Sequence, residues 1–235
     1  MPRDRAPDEL RSVRLHCGYT DATPGSVLIE VGRTRVLCTA SIDSEVPRWM
    51  RNSNKGWVTA EYGMLPGSSN ERIGRDNYAK GRSLEISRLI GRALRSVVDM
   101  PAMGEGMVRV DCDVLQADGG TRTAAVTGAW VAMWDAFEWG VANGMIARNP
   151  IIDHVAAVSV GLVGGEVLLD LEYEDDVAAD VDMNVVMSGR GLLVEVQGTA
   201  EAAPFTRDEL DRMLDLAGAG IAELVDLQRR ATEPE

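Results

Sequence analysis

The stretch SVLIEVGRTRVLCTASI, residues 26–42, alternates apolar and polar positions on both sides of Gly32-Arg33. A period of two turns one face of a strand toward a core, and a glycine between two such runs is a turn signal. The pattern therefore predicts a β-hairpin. MVRVDCDVLQ, residues 107–116, alternates in the same way, with Val108, Val110, Cys112 and Val114 on one face. In RSLEISRLIGRALRSVVDM, Leu84, Ile86, Leu89, Ile90, Ala93, Leu94, Val97 and Val98 fall mostly at helical spacing, which predicts a helix over 82–100. A second helix is predicted from Ala124 to about Val141, with Val126, Trp130, Met133, Trp134 and Phe137 on its apolar side and Asn143-Gly144 as its stop. Residues 43–81 are polar except for one strand-like island, GWVTAEYGML. A connection of that length inside a compact domain is more often functional than merely connecting.

Asn149-Pro150 breaks the pattern and marks a predicted boundary between units 1–150 and 151–235. Beyond it, VAAVSVGLVGGEVLLDLEY predicts a hairpin turning at Gly164-Gly165, and VDMNVVMSGRGLLVEVQGTA another turning at Ser188-Gly189. FTRDELDRMLDLAGAGIAELVDLQRR is a closing amphipathic helix, with Thr206 and Glu209 spaced as a capping box at its start. The expected class is α/β (α+β): two strand-rich βαβ units in tandem, with helices packed on mixed sheets, two helices in the first unit and one long helix in the second.

Composition narrows the function. The chain has 235 residues, 45% hydrophobic, enough for one large or two modest domains, and no apolar run approaches membrane-spanning length. The opening MPRDRAPDELR is charged and carries no apolar signal region. Cys17, Cys38 and Cys112 show no pairing or metal spacing, and the last two sit inside strand patterns. Buried free thiols in a reducing, cytoplasmic setting are expected. His16 and His154 are the two histidines, which leaves little room for a histidine-rich zinc site or a Ser-His-Asp triad.

The net charge of −13 argues against a general nucleic-acid coat protein, yet it hides an asymmetry. Residues 1–100 carry +4 and residues 101–235 carry −17. Within 48–95 there are ten basic residues, eight of them arginine, against four acidic ones. Arg82, Arg88, Arg92 and Arg95 form a basic stripe on the predicted helix. Arginine is the better fork for phosphate, although a solvated basic face would read the same way.

Two constellations could carry chemistry. In QADGGTRTAAVTGAW, residues 116–130, Gly119 and Gly120 stand where backbone N–H groups can approach a ligand, Thr121 adds a hydroxyl and Arg122 a charged fork. At a helix start these make a cradle for a tetrahedral anion; alone, the string also fits a capped helix after a glycine turn. The second is DLEYEDDVAADVD, residues 170–182, with Asp170, Glu172, Glu174, Asp175, Asp176, Asp180 and Asp182. Such a density of carboxylates repels itself unless something positive is bound, and one or two suffice for a hard divalent cation; a solvated acidic loop is the plainer reading. An anion cradle together with a carboxylate metal site suits phosphoryl or nucleotidyl transfer. No His, Cys or Ser stands in a nucleophile-like setting, and an enzyme that uses a bound anion as its nucleophile needs none.

GSVLIEVGRTRVLCTASI, GWVTAEYGMLP, GRSLEISRLIGRALR, DCDVLQADGGTRTAAVTGA and DLEYEDDVAADVDMNVVM with VEVQGTAE resemble the ribonuclease PH family from about Glu9 to Gln228. The relatives of that family are polynucleotide phosphorylase and the exosome core ring. The resemblance implies the ribonuclease PH-like fold and a phosphate-dependent 3′→5′ exoribonuclease (tRNA nucleotidyltransferase) that trims precursor tRNA, acts in ribosomal RNA turnover, and releases nucleoside diphosphates. It implies that Gly120, Thr121 and Arg122 hold inorganic phosphate with Arg82 completing the site, that Asp176 and Asp182 are catalytic and bind Mg²⁺ (or Mn²⁺), and that Arg88 contacts RNA or supports the site. It further implies a homo-hexamer, a trimer of dimers, able to concentrate its basic segments around RNA. A non-catalytic RNA-binding ring subunit of an exosome-like assembly is the alternative. Three positions depart from the family pattern: Lys80-Gly81-Arg82-Ser83 in place of Gly-Gly-Arg-Thr, Val177 after Asp176 where serine is usual, and Gly67 where a larger polar residue is expected.

Overall fold

The structure, a computed structural model, describes residues 3–79 and 81–233; Lys80 lies outside them. The first unit contains β1 (Val13–Cys17), β2 (Gly25–Val31), β3 (Thr34–Asp43), β4 (Trp57–Met64), α1 (Gly81–Arg95), α2 (Met100–Met103), β5 (Met107–Gln116) and α3 (Thr121–Ala142). The second contains β6 (Val155–Val163), β7 (Glu166–Leu169), α4 (Tyr173–Ala178), β8 (Val181–Ser188), β9 (Leu193–Ala200) and α5 (Arg207–Thr232). The first sheet runs β1-β2-β3-β5-β4, with β4 parallel to β5 and the other pairs antiparallel. A parallel pair needs a crossover, and α1 lies within it. The second sheet, β7-β6-β8-β9, is antiparallel throughout.

The predicted hairpins form, although the third turns over residues 189–192, past Ser188, which stays in β8. β2 and β3 turn at Gly32-Arg33, with Gly32 at φ +56°, and β6 and β7 turn at Gly164-Gly165. Val108, Val110, Cys112 and Val114 are all buried, and so is Cys38, which pairs directly with Cys112 across β3 and β5 as a free thiol. Helix α3 is apolar on nearly every side and is correspondingly enclosed. Val126, Trp130, Met133 and Phe137 are fully buried in a core that also takes in Val155, Ala157 and Val186 of the second sheet. Helix α5 closes a second core with Met213, Ala217, Ile221, Leu224 and Val225 against β6 and β8, and its Thr206–Glu209 capping box is made. Among the described residues no helix is long and apolar enough to cross a membrane.

Three local expectations shift. Helix α1 stops at Arg95, short of Met100, and Val98 instead bridges to Ile151 in extended backbone. Both Val97 and Val98 are buried, so their apolar character continues the helical pattern although the backbone does not. Helix α3 starts at Thr121, three residues before Ala124. The acidic run contains a helical turn, α4, with no apolar periodicity to announce it.

Candidate active site

After β5 the chain turns through Ala117–Gly120, and both glycines are left-handed, at φ +75° for Gly119 and +64° for Gly120. A Cβ on Gly119 would stand 2.5 Å from the Leu171 carbonyl oxygen, so glycine is needed there for the turn to press against residues 171–172. Gly120 caps α3 without a side chain, which leaves the first amides of the helix without a capping oxygen. Because α3 begins early, Thr121 and Arg122 ride on its first turn rather than on the preceding loop. The Thr121 hydroxyl hydrogen-bonds the hydroxyl of Tyr62, a buried side chain of β4, at 2.8 Å. The Arg122 guanidinium is largely covered; its Nη1 donates to Gln197 Oε1 at 3.3 Å and lies 3.6 Å from Glu85 Oε1.

The basic stripe of α1 divides. Arg92 donates twice to Glu195, at 2.8 and 2.6 Å, and Arg95 lies over the Trp57 ring and donates to the Val58 carbonyl. Arg82, at the head of the helix, and Arg88, one turn from both Glu85 and Arg92, are exposed.

The carboxylates of the acidic run also divide. Asp170 is buried against Arg11, and Asp175 is buried against Arg3 at 2.9 Å, with Arg5 at 3.7 Å. Part of the positive charge that the run demands is thus supplied by the chain's own N-terminal segment. Asp175 also accepts from the Glu172 backbone N–H at the start of α4. Of the two carboxylates expected to be catalytic, Asp176 is exposed and Asp182 half-buried. Desolvation first, then the charges of Asp176 and Glu201, lift the Asp182 carboxyl to about 6 against the pull of Arg122 and Arg82. Desolvation likewise raises Asp176, opposed by Arg82 and Arg122 and assisted by Glu201. The same four charges, Asp176, Asp182, Arg82 and Arg122, therefore feel one another, and the fold brings the two predicted constellations into one place.

Sequence reasoning missed Tyr62, Gln197 and Glu201, although all three lie within the quoted motifs. It also missed Arg11, whose partner is remote in sequence. Among the described residues no group of three or more His, Cys, Asp or Glu is arranged to hold a metal ion. Two mutually repelling, partly desolvated carboxylates still suit a hard divalent cation that keeps several waters, since one or two protein oxygens are enough.

Two family models match the chain, the first and second domains of the 3′ exoribonuclease family, on residues 9–137 and 153–220. The fold is similar to three solved structures. One is described as the Archaeoglobus fulgidus exosome with RNA bound to the active site: TM-score 0.81, 20% identity, covering 94% of this chain and 90% of that one. Rice (Oryza sativa) Rrp46 has a TM-score of 0.79 and 17% identity, covering 98% and 99%. An archaeal exosome core has a TM-score of 0.75 and 20% identity, covering 97% and 90%.

Proposed function

The chain belongs to the 3′ exoribonuclease (RNase PH) family, and from that premise we propose that it is a phosphate-dependent 3′→5′ exoribonuclease that trims RNA by phosphorolysis. The observation that carries this reading is the meeting of Arg82 and Arg122 with Asp176 and Asp182 beside the Gly120 end of α3. Gly120, Thr121 and Arg122, with Arg82, bind inorganic phosphate through backbone amides, a hydroxyl and two guanidinium groups. An oxygen of that phosphate attacks the phosphorus of the last phosphodiester. The bond to the 3′-oxygen of the preceding nucleotide breaks, that oxygen is protonated as it leaves, and a nucleoside diphosphate is released. Tyr62 orients Thr121, and Gln197 holds one edge of Arg122. Asp176 and Asp182 would hold a divalent cation, Mg²⁺ (or Mn²⁺), which supplies charge neutralisation among the crowded phosphate oxygens.

Arg88, exposed on α1 with Arg82, contacts the RNA backbone in this reading. The substrate is the 3′ end of RNA, chiefly precursor tRNA, and the working particle is a cytoplasmic homo-hexamer in which basic 48–95 segments converge while the acidic surface faces outward. Incubating the protein with a 3′-extended tRNA, with and without inorganic phosphate, tests the chemistry. Nucleoside diphosphates released only when phosphate is present are the expected result. Nucleoside monophosphates in phosphate-free buffer would mean hydrolysis, and no release in either buffer would mean a non-catalytic RNA-binding subunit.

A further inference from the structure

Arg11 takes no part in the reading above, yet its guanidinium joins both halves of the site. It is 7% exposed. Its Nε and Nη2 donate to the two carboxylate oxygens of Asp170, at 2.9 and 2.7 Å, and its own backbone N–H donates to Asp170 Oδ2 at 2.9 Å. The remaining nitrogen, Nη1, donates to the Asp118 carbonyl in the glycine turn at 2.5 Å. Nη2 also lies 3.0 Å from where a Gly120 Cβ would be. One planar group thus ties the turn before α3 to the residue that opens the acidic segment. Asp170 holds φ +55°, a left-handed backbone that a non-glycine residue adopts at a cost. The Arg11 fork and the Arg5 guanidinium, which donates to the Asp170 carbonyl, over-determine that conformation.

The geometry also aims the turn. The Asp118 carbonyl is held by Arg11, and the next carbonyl, that of Gly119, accepts from the Thr34 hydroxyl at 2.7 Å. Thr34 in turn accepts from the Asp118 N–H at 2.9 Å. A trans peptide sets its C=O and N–H on opposite sides. With both carbonyls drawn toward Arg11 and Thr34, the N–H groups of Gly119 and Gly120 point away from the clamp.

We propose that Arg11, paired with Asp170, is a positioning residue for the anion site: it aims the Gly119 and Gly120 amides and fixes their spacing from the segment that carries Asp176. This rests on the proposed phosphate-dependent reaction for its kinetic consequence, but not for its structural one. The fork is specific to arginine, because lysine cannot reach two carboxylate oxygens and a carbonyl from one rigid plane. Misplacement by about 1 Å at a reacting centre can cost on the order of 10²-fold in rate, so a loosened turn is expected to show in phosphate use before it shows in folding.

Hydrogen exchange and phosphate titration on the full-length protein test this with Arg11→Lys and the gentler, isosteric Asp170→Asn. In both variants, exchange is expected to accelerate in residues 117–123 and 170–178 while β2, β3, β6 and β8 keep their protection. The apparent phosphate KM should rise about tenfold with the RNA KM nearly unchanged, consistent with the loss of a charge-assisted hydrogen bond to the turn. Exchange that rises uniformly over both sheets, or a wild-type phosphate KM in a less stable protein, overturns the proposal and leaves Arg11 a purely structural ion pair. Should Arg11→Lys fail to fold, Asp170→Asn decides by the same criteria. An unmodified protein that releases nothing with phosphate sinks the proposed function, and the exchange pattern then still decides the clamp.

Discussion

Asp170 and Asp176 belong to one acidic run, and the fold gives them opposite surroundings. Asp170 is 3% exposed, and both of its oxygens meet the Arg11 fork. Burial alone would raise its carboxyl, but the hydrogen bonds and charge of Arg11 outweigh that and hold it below the ordinary carboxylate value. Among the described residues Asp176 and its neighbour Asp182 have no such partner at contact distance; Arg82 and Arg122 act on them as more distant charges, and both carboxyls are raised. The two arginines differ in the same way. Arg11 makes directed bonds with all three nitrogens, whereas Arg122 has one long hydrogen bond and a 3.6 Å ion pair. A buried charge with a matched partner holds structure together. Charges that crowd without being matched are where the proposed reading puts a charged ligand.

This contrast gives opposite signs in stability. The lowered Asp170 contributes stability above the ordinary carboxylate range, and that contribution is lost as pH falls through its folded value. The raised Asp182 does the reverse: the folded state binds its proton more tightly, so its contribution is full below the ordinary carboxylate range and is lost as pH rises through about 6.

The largest expected effect tests the unmatched side. Asp182→Asn should lower phosphorolytic turnover by about 10³-fold or more, several kcal/mol of transition-state stabilisation, with RNA binding nearly intact. Arg122→Ala should lower turnover by about 10²–10³ and raise the phosphate KM. Wild-type turnover from both variants would make these charges a solvated surface. Next comes the matched side. Asp170→Ala leaves a buried guanidinium without its partner and should destabilise folding by about 3–5 kcal/mol in urea titrations. A change below about 1 kcal/mol would erase the distinction drawn above.

The smallest effect is the most diagnostic, because its sign is unusual for a substitution in an active site. With no divalent cation present, Asp182→Asn should stabilise the protein at pH 7.5, by about 1–2 kcal/mol after discounting for solvent screening. The gain should shrink as pH falls below about 6 and vanish only near the ordinary carboxylate value, where Asp182 is neutral in the unfolded chain as well. Adding Mg²⁺ should raise the melting temperature of the unmodified protein more than that of the variant. A destabilised Asp182→Asn variant at pH 7.5 would show that its carboxylate is matched after all.

What the sequence by itself determined is what depends on neighbours a few residues apart. Period-two alternation placed β2, β3, β5 and β6, glycines marked the hairpin turns at Gly32-Arg33 and Gly164-Gly165, and Thr206 with Glu209 announced the start of α5. The motif strings sufficed to name the family, and the charge-bearing residues of both constellations were legible as candidates. The end of α1 was not, because Val97 in a turn and Val98 in an isolated bridge are apolar for burial just as they would be in a helical turn. Nor could spacing sort the acidic run into structural and functional members. Arg11 and Asp170 are separated by 159 positions, Arg3 and Asp175 by 172, and Tyr62 and Thr121 by 59. Whether a carboxylate is lowered by a guanidinium or raised by burial beside another carboxylate depends on distance and desolvation in space, and only the tertiary packing that brings these remote segments together sets either one.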